Sequence, residues 1–365
     1  MAASIPRKIS FLQAAMIVML ANGLLSHVIV NPALLDASGR DAWITVIASG
    51  VLFIPWCMLL ALAMRRMGQQ KLFPYLAEHT HPVFAWLLVL PALACLYFIG
   101  AMTVTYTTTW TISNYLPVTP PLVLALVLVT ISAFSAIWGI RVIAITSGVL
   151  LPIVVILGYF VSISNSPQKD FRLLKPFLEH GWDRVWDGLI YAWGGYVEFA
   201  FLFLMMHHIQ TKIKPWHIAL LALIMVYISL GPIVGAITEF GPYEAARQMT
   251  SPYEQWRLVK LGNYVEHVDF FSIYQWESGA VIRTALAIFL IIDLLPITSS
   301  KIRLIAIGLI AVSYIAISLM PINEYSYYLF LYHYYFPISF IVLLATSAVW
   351  MMISCFVKPA KEVRT

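Results

Sequence analysis

Charge is what this sequence has least of. Of its 365 residues only 11% are Asp, Glu, Lys or Arg, against about 25% in an ordinary soluble domain. With 61% hydrophobic residues and a mean hydropathy of +0.85, the chain is not a soluble globular enzyme, since no soluble core of this length needs so much apolar material. Cysteine is scarce as well. Cys57, Cys95 and Cys355 lie in apolar stretches without paired spacing, which excludes a disulfide framework or a thiolate metal site. No phosphate-binding loop, HExxH, CxxC or GxSxG elbow occurs, so no catalytic residues, cofactor or metal are expected. Low-complexity segments are missing too, and a 14% aromatic content excludes a disordered or fibrous chain. The net charge of +5 is scattered through the loops, a placement that fits membrane topology and not a nucleic-acid partner. The expected surroundings are lipid.

A membrane-spanning helix needs about 20 mostly apolar residues. That ruler predicts ten spans, near 11–35, 42–64, 83–113, 121–138, 142–163, 185–206, 216–238, 271–295, 302–319 and 334–356. The first is too long for a cleavable signal peptide and lacks a small-residue cleavage motif. Placing the N-terminus in the cytoplasm puts Arg7, Lys8, Arg65, Arg66, Lys71, Arg141, Lys212, Lys214, Lys301, Arg303, Lys358, Lys361 and Arg364 on that side. Most acids then face outward, and the bias predicts both termini cytoplasmic. Residues 164–184 and 239–270 read as outer connections, a loop or short helix in the first and short interfacial helices in the second. A single membrane domain, 1–365, is expected, with halves of about 9–163 and 185–356.

Two spans carry interruptions. Asn22-Gly23 falls halfway along the first, followed by Ser26, His27, Asn31 and Pro32, and Gly194-Gly195 sits mid-way in the sixth, before Glu198. Each opens a set of five spans. A matched pair of Gly- or Pro-interrupted helices points to an inverted-repeat transporter fold with its ligand at the breaks, where unwound backbone needs partners. Close helix packing is the plainer use of a membrane glycine. Glu198 and Arg283 lie at mid-depth, where a lone charge costs at least about 2.5 kcal/mol, so they are expected to pair or line a wet cavity. A ligand-pocket wall and a static lock both fit. Asp187, Glu277 and Asp293 read as facing headgroups or water.

Other polar residues have bland readings beside functional ones. His27 suits a packing histidine or a ligand contact. The hydroxyls from Thr103 to Thr109 suit bonds to their own helix, whereas Tyr97 needs an outside partner. Tyr325, Tyr327, Tyr328, Tyr332, Tyr334 and Tyr335 read as an interfacial belt, and His207-His208, beside Lys212, as a snorkelling polar cap on a helix end in preference to a metal site.

Several stretches resemble one family. Gly241-Pro242-Tyr243-Glu244-Ala245, Pro252-Tyr253-Glu254 and Arg257-Leu258-Val259 resemble the outer loop of spore germination permeases, and Tyr264 to Arg283 looks like a signature of that family. The opening ISFLQAAMIVML and the segment from His27 to Val46 are similar to its first two spans. The resemblance is to the GerAB-type B subunit of germinant receptors, a branch of the amino-acid/polyamine/organocation superfamily. It implies an all-α LeuT-like fold of ten helices, a 5+5 inverted repeat with helices 1 and 6 broken. It also implies residence in the spore inner membrane, and receptor A and C subunits as partners. A small-molecule germinant is bound between helices 1, 3, 6 and 8 in that family, and binding is relayed to the A subunit. The corresponding ligand-binding positions here are Asn22, Gly23, Leu24, Leu25, Ser26, Tyr97, Gly194, Gly195, Glu198, Gly279 and Arg283. Arg283 departs from the apolar residue or threonine of the family's best-studied members, which implies a germinant other than a simple apolar amino acid. The alternative is a proton- or sodium-coupled amino-acid transporter of the same fold, with Glu198 as proton carrier.

Overall fold

The computed structural model describes residues 8–260 and 267–357. Arg7, Glu266, Lys358, Lys361, Arg364 and the start of the Tyr264–Arg283 stretch lie outside the described residues. Helices dominate: α1 (Phe11–Leu24), α2 (Asn31–Ser38), α3 (Ala42–Arg66), α4 (Leu72–His79), α5 (Pro82–Asn114), α6 (Pro121–Trp138), α7 (Ile140–Ser164), α8 (Asp183–Tyr196), α9 (Leu202–Met205), α10 (Pro215–Phe240), α11 (Pro242–Ala245), α12 (Ser251–Arg257), α13 (Phe271–Leu294), α14 (Ser300–Ser318), α15 (Glu324–Phe330) and α16 (Phe336–Phe356). Local chemistry sets many ends. At the start of α1, Ser10 and Gln13 exchange side-chain-to-backbone hydrogen bonds of 3.2 and 2.9 Å, a capping box. Proline opens α5, α6 and α10, where its missing N–H costs nothing. Gly139, at φ +91°, joins α6 to α7 through backbone that a side chain would strain.

Among the described residues, nine helical runs are long and apolar enough to cross a membrane. The chain is a polytopic helical membrane protein. Helix α13 is also 24 residues long but carries Glu277, Arg283 and Asp293. The run Asp183–His208 has 83% of its apolar window buried, against 11% for Ser300–Ser318. The first therefore lies at the centre of the bundle and the second on its periphery. Around the central run lie α2, α3 and α16. Helix α13 touches α1, α5, α6 and α7.

The two ends of the bundle are tied differently. At one end Ile9 pairs with Ile209 in a single parallel bridge, and Gln69 donates to the Ile209 carbonyl at 3.1 Å and accepts from Ile213 at 3.1 Å. Arg66 reaches the Ser354 and Cys355 carbonyls at the same end. At the other end the 164–182 connection forms two short 3₁₀ turns. Asp41 accepts from the Leu178 and Glu179 amides at 2.9 and 3.1 Å, while Arg40 bonds Glu179 at 2.9 Å and the Lys175 carbonyl. Within the connection, Arg172 beside Asp170 holds that carboxyl below the usual carboxylate range. The 239–260 stretch supplies α11 and α12, short helices at this same end.

Candidate functional site

Both expected interruptions appear, as rewound helix more than as open chain. After α1 the backbone widens into a π-helical turn, Leu25–Ile29. Close after it stands Pro32, which with no N–H leaves the Val28 carbonyl without an α-helical donor. The carbonyl one residue earlier, on His27, receives the Asn31 side-chain amide at 2.7 Å instead. In the other run Gly194 and Gly195 are still in α8. The irregularity begins two residues later, as a 3₁₀ turn over Val197–Phe201 that contains Glu198. The glycines thus sit beside the break, not in it. Their small size has a packing use, since a Cβ on Gly194 would stand 2.9 Å from the Phe336 Cβ and one on Gly195 3.1 Å from Ser26 Oγ.

The two irregular runs are bonded directly to each other. Asn22 Nδ2 donates to the Gly195 carbonyl at 2.7 Å, and Asn22 Oδ1 accepts from Ser26 Oγ at 3.0 Å. Beside them Arg283 and Glu198 form a two-pronged ion pair, with Nη1 to Oε2 and Nη2 to Oε1 both at 2.6 Å. Arg283 also donates from Nη1 to the Ala21 carbonyl at 3.0 Å and from Nε to Thr103 Oγ1 at 3.1 Å. The Ala21 carbonyl is available because the Leu25 N–H turns to Asn22 instead. Both charged residues are under 10% exposed. In so dry a place a charge survives only when paired and hydrogen-bonded, and the fork of a guanidinium matches a carboxylate edge. One cluster therefore joins α1, α5, the 3₁₀ turn after α8, and α13.

Two tyrosines in or beside this cluster read from the sequence as interfacial. Tyr335 is buried, and its hydroxyl donates to Glu198 Oε1 at 3.3 Å. Tyr327 is buried too, bonded to the Met102 carbonyl at 2.9 Å and stacked on Tyr106. Both are turned into the protein, unlike the exposed Tyr325 and Tyr334. A π-helical turn over Leu331–Tyr335 turns Tyr335 inward, which hydropathy does not signal. Thr103 does bond its own helix, at the Ile99 carbonyl, and its second lone pair serves Arg283. Asp293 is a further correction. It does not face headgroups but turns inward to His207, His208 and Lys71.

The remaining expected positions divide. Gly279 lies against α1, where a Cβ would stand 2.8 Å from the Leu24 Cβ. Leu24, Leu25 and Ser26 are buried, and Gly23 has nothing within 4 Å of where a Cβ would be. Tyr97 points elsewhere: it bonds Ser313 Oγ at 2.9 Å and packs on Tyr314 of α14. His27 Nδ1 lies 3.0 Å from the Ile228 carbonyl, a packing contact. Two small cavities flank the cluster. One of about 10 Å³ is lined by Ser26, Ala192 and Tyr196, and one of about 30 Å³ by Asn22, Glu198 and Leu286. Such volumes suit a water or two, so the site is closed to anything larger.

Two comparisons bear on this arrangement. A family model described as spore germination protein matches residues 8–327. A Bacillus anthracis protein named spore germination protein XB is 39% identical over 354 residues, which cover 97% of this chain and 99% of the relative.

Proposed function

Because this chain belongs to the spore germination permease family, we propose that it is the germinant-sensing membrane subunit of a germination receptor. It binds a small nutrient, an amino acid or similar, at mid-depth between the first, third, sixth and eighth spans. The observation that carries this reading is the direct bonding of the two irregular runs, through Asn22 on Gly195 and Arg283 on both Ala21 and Glu198. A polar cluster at the meeting point of four helices is costly unless a ligand or a switch uses it. The germinant's carboxylate competes for Arg283 or for amides of the first run, and its amino group for Glu198 or the carbonyl of Gly195. Binding then exchanges internal bonds for bonds to ligand and shifts the population between closed and open states.

In this reading α13 is the eighth of ten spans. The chain is a single domain whose halves, about 9–163 and 185–356, form a LeuT-like inverted repeat. Both termini are cytoplasmic, the membrane is the inner membrane of the spore, and A and C subunits receive the signal. The proton- or sodium-coupled transporter reading is the weaker one. Both Glu198 oxygens are already bonded, to Arg283 and Tyr335, so a coupling ion would have to displace those partners.

The test is a thermal-shift screen of the purified chain against amino acids, sugars and salts, on the natural sequence and on Glu198→Gln and Gly195→Leu. One ligand should stabilise the natural chain and neither variant. Equal stabilisation of all three chains would place the pocket elsewhere. Solute accumulation in vesicles holding this chain alone would favour transport.

A further inference from the structure

At the end of the run that carries Glu198, two histidines and an aspartate from another helix turn toward one point. The backbone leaves helical geometry after His208, which lets neighbouring rings turn to one side. The His207 and His208 ring centres stand 3.9 Å apart. His207 Nε2 is 3.0 Å and His208 Nε2 3.3 Å from Asp293 Oδ2, and the three residues' ligand atoms all lie within 4.8 Å of one another. Around a four-coordinate zinc ion with bonds of about 2.0–2.1 Å, neighbouring ligand atoms are about 3.3 Å apart. These three atoms are shielded from solvent, and none makes a well-formed hydrogen bond. Buried polar atoms ordinarily do. Three that converge at ion-pair distance, with no hydrogen bond of good geometry among them, are arranged as ligands are.

The surroundings fit the same reading. Lys71 Nζ donates to the Asp293 main-chain carbonyl and lies 3.7 Å from Oδ1. It thereby orients the carboxylate and leaves Oδ2 to the rings, the role of an outer-sphere partner. Phe289 flanks His208 at 5.2 Å between ring centres and supplies an apolar wall.

We propose that His207, His208 and Asp293 form a binding site for a divalent transition-metal ion, zinc being the best match. Two imidazoles and one carboxylate are borderline donors of the kind zinc takes, with a fourth position open to water. Magnesium and calcium want six or more oxygens. The site's place gives it a consequence. Its histidines end the run that carries Glu198, and Asp293 follows Arg283 by ten residues on α13, about 15 Å along the helix. An ion here ties together, at one end of the bundle, the two elements that the buried ion pair ties at the centre. This holds whichever solute the central cluster takes.

The probe is cobalt(II), whose tetrahedral complexes absorb visible light strongly, added to the purified full chain in detergent. One cobalt per chain should bind, zinc should displace it, and zinc should raise the thermal midpoint. Asp293→Asn and His208→Gln should each weaken binding by about 100-fold or more, and Lys71→Met by about 10–100-fold, as loss of an outer-sphere partner does. Circular dichroism of the metal-free variants separates lost ligands from lost fold, and His207→Gln serves if one of them does not fold. Two outcomes overturn the site. In one, natural and variant chains bind cobalt equally. In the other, the natural chain binds none and its thermal midpoint responds to pH alone, which leaves a histidine–aspartate ion pair.

Discussion

Arg283 bonds three different elements: α1 at the Ala21 carbonyl, α5 at Thr103, and the turn after α8 at Glu198. Removing one member of a buried pair strands the other, a loss of about 3–5 kcal/mol. Glu198→Ala and Arg283→Met should each destabilise the purified chain by an amount in that range, read as a lowered thermal midpoint. The charge-reversed double variant, with Glu198→Arg and Arg283→Glu, should not recover it. A glutamate at 283 cannot donate to Ala21, so the swapped chain keeps an unsatisfied buried carbonyl, and Thr103 retains only its bond to Ile99. Full recovery would make the pair a simple lock. The pair itself was legible from sequence, because two opposite charges at mid-depth in an otherwise apolar chain have few alternatives to each other. Tyr335 and Thr103 were not. A tyrosine near a span end reads as interfacial, and a helix threonine as bonded to its own turn, until the fold shows which way each faces.

At the scale of the helix, glycine separates packing from conformation. Gly279 lets α13 lie against α1: its added Cβ would meet the Leu24 Cβ at 2.8 Å and the Leu20 carbonyl at 3.3 Å. Gly279→Val should push the two helices apart and cost about 1–3 kcal/mol. Gly23, one helix across, has open space around it, and Gly23→Ala should leave the chain as stable or raise its stability by up to about 1 kcal/mol, the helix-propensity difference. Paired thermal melts check both, and equal losses would remove the close-approach role of Gly279. Among the described residues, nine apolar runs were legible because lipid enforces them. The first ends at Ile29, however, the second starts at Asn31 and the last at Glu324, and the expected span over 271–295 is not among the nine. What hydropathy could not show is how the interruptions are resolved. Pro32 predicts a lost hydrogen bond, but that the backbone before it widens into a π-helical turn and that the Asn31 side chain bonds the His27 carbonyl depend on local geometry. Likewise Gly194-Gly195 marks where helices crowd, and the rewinding falls on Val197–Phe201, which carries no glycine.

Across the whole molecule, a closed central site is held between two tied ends. Its flanking cavities of about 10 and 30 Å³ are too small for a nutrient; on the proposed reading a germinant would wait for a minor open state, and its apparent affinity would fall by that state's fraction. Which end opens is decided by which bonds must break. At the Asp41 end, the later part of the 164–182 connection rests on one carboxylate accepting two amides and on Arg40, while its first half is bonded to α10 and α12 through Asn165, Lys169 and Asp170. At the other end Gln69 ties α4's approach to the 206–213 segment, beside the inward-facing Asp293 cluster. Loosening the end through which ligand enters should raise the association rate and leave the closed contacts alone. Asp41→Ala should therefore speed ligand association several-fold, and Gln69→Ala should not, in stopped-flow binding with whichever solute the thermal screen identifies. Limited proteolysis of the ligand-free chain offers a check that needs no ligand, with faster cleavage within 166–182 expected in Asp41→Ala. If Gln69→Ala were the faster variant, entry would lie at the Asp293 end, and the histidine cluster would stand in the path of the ligand.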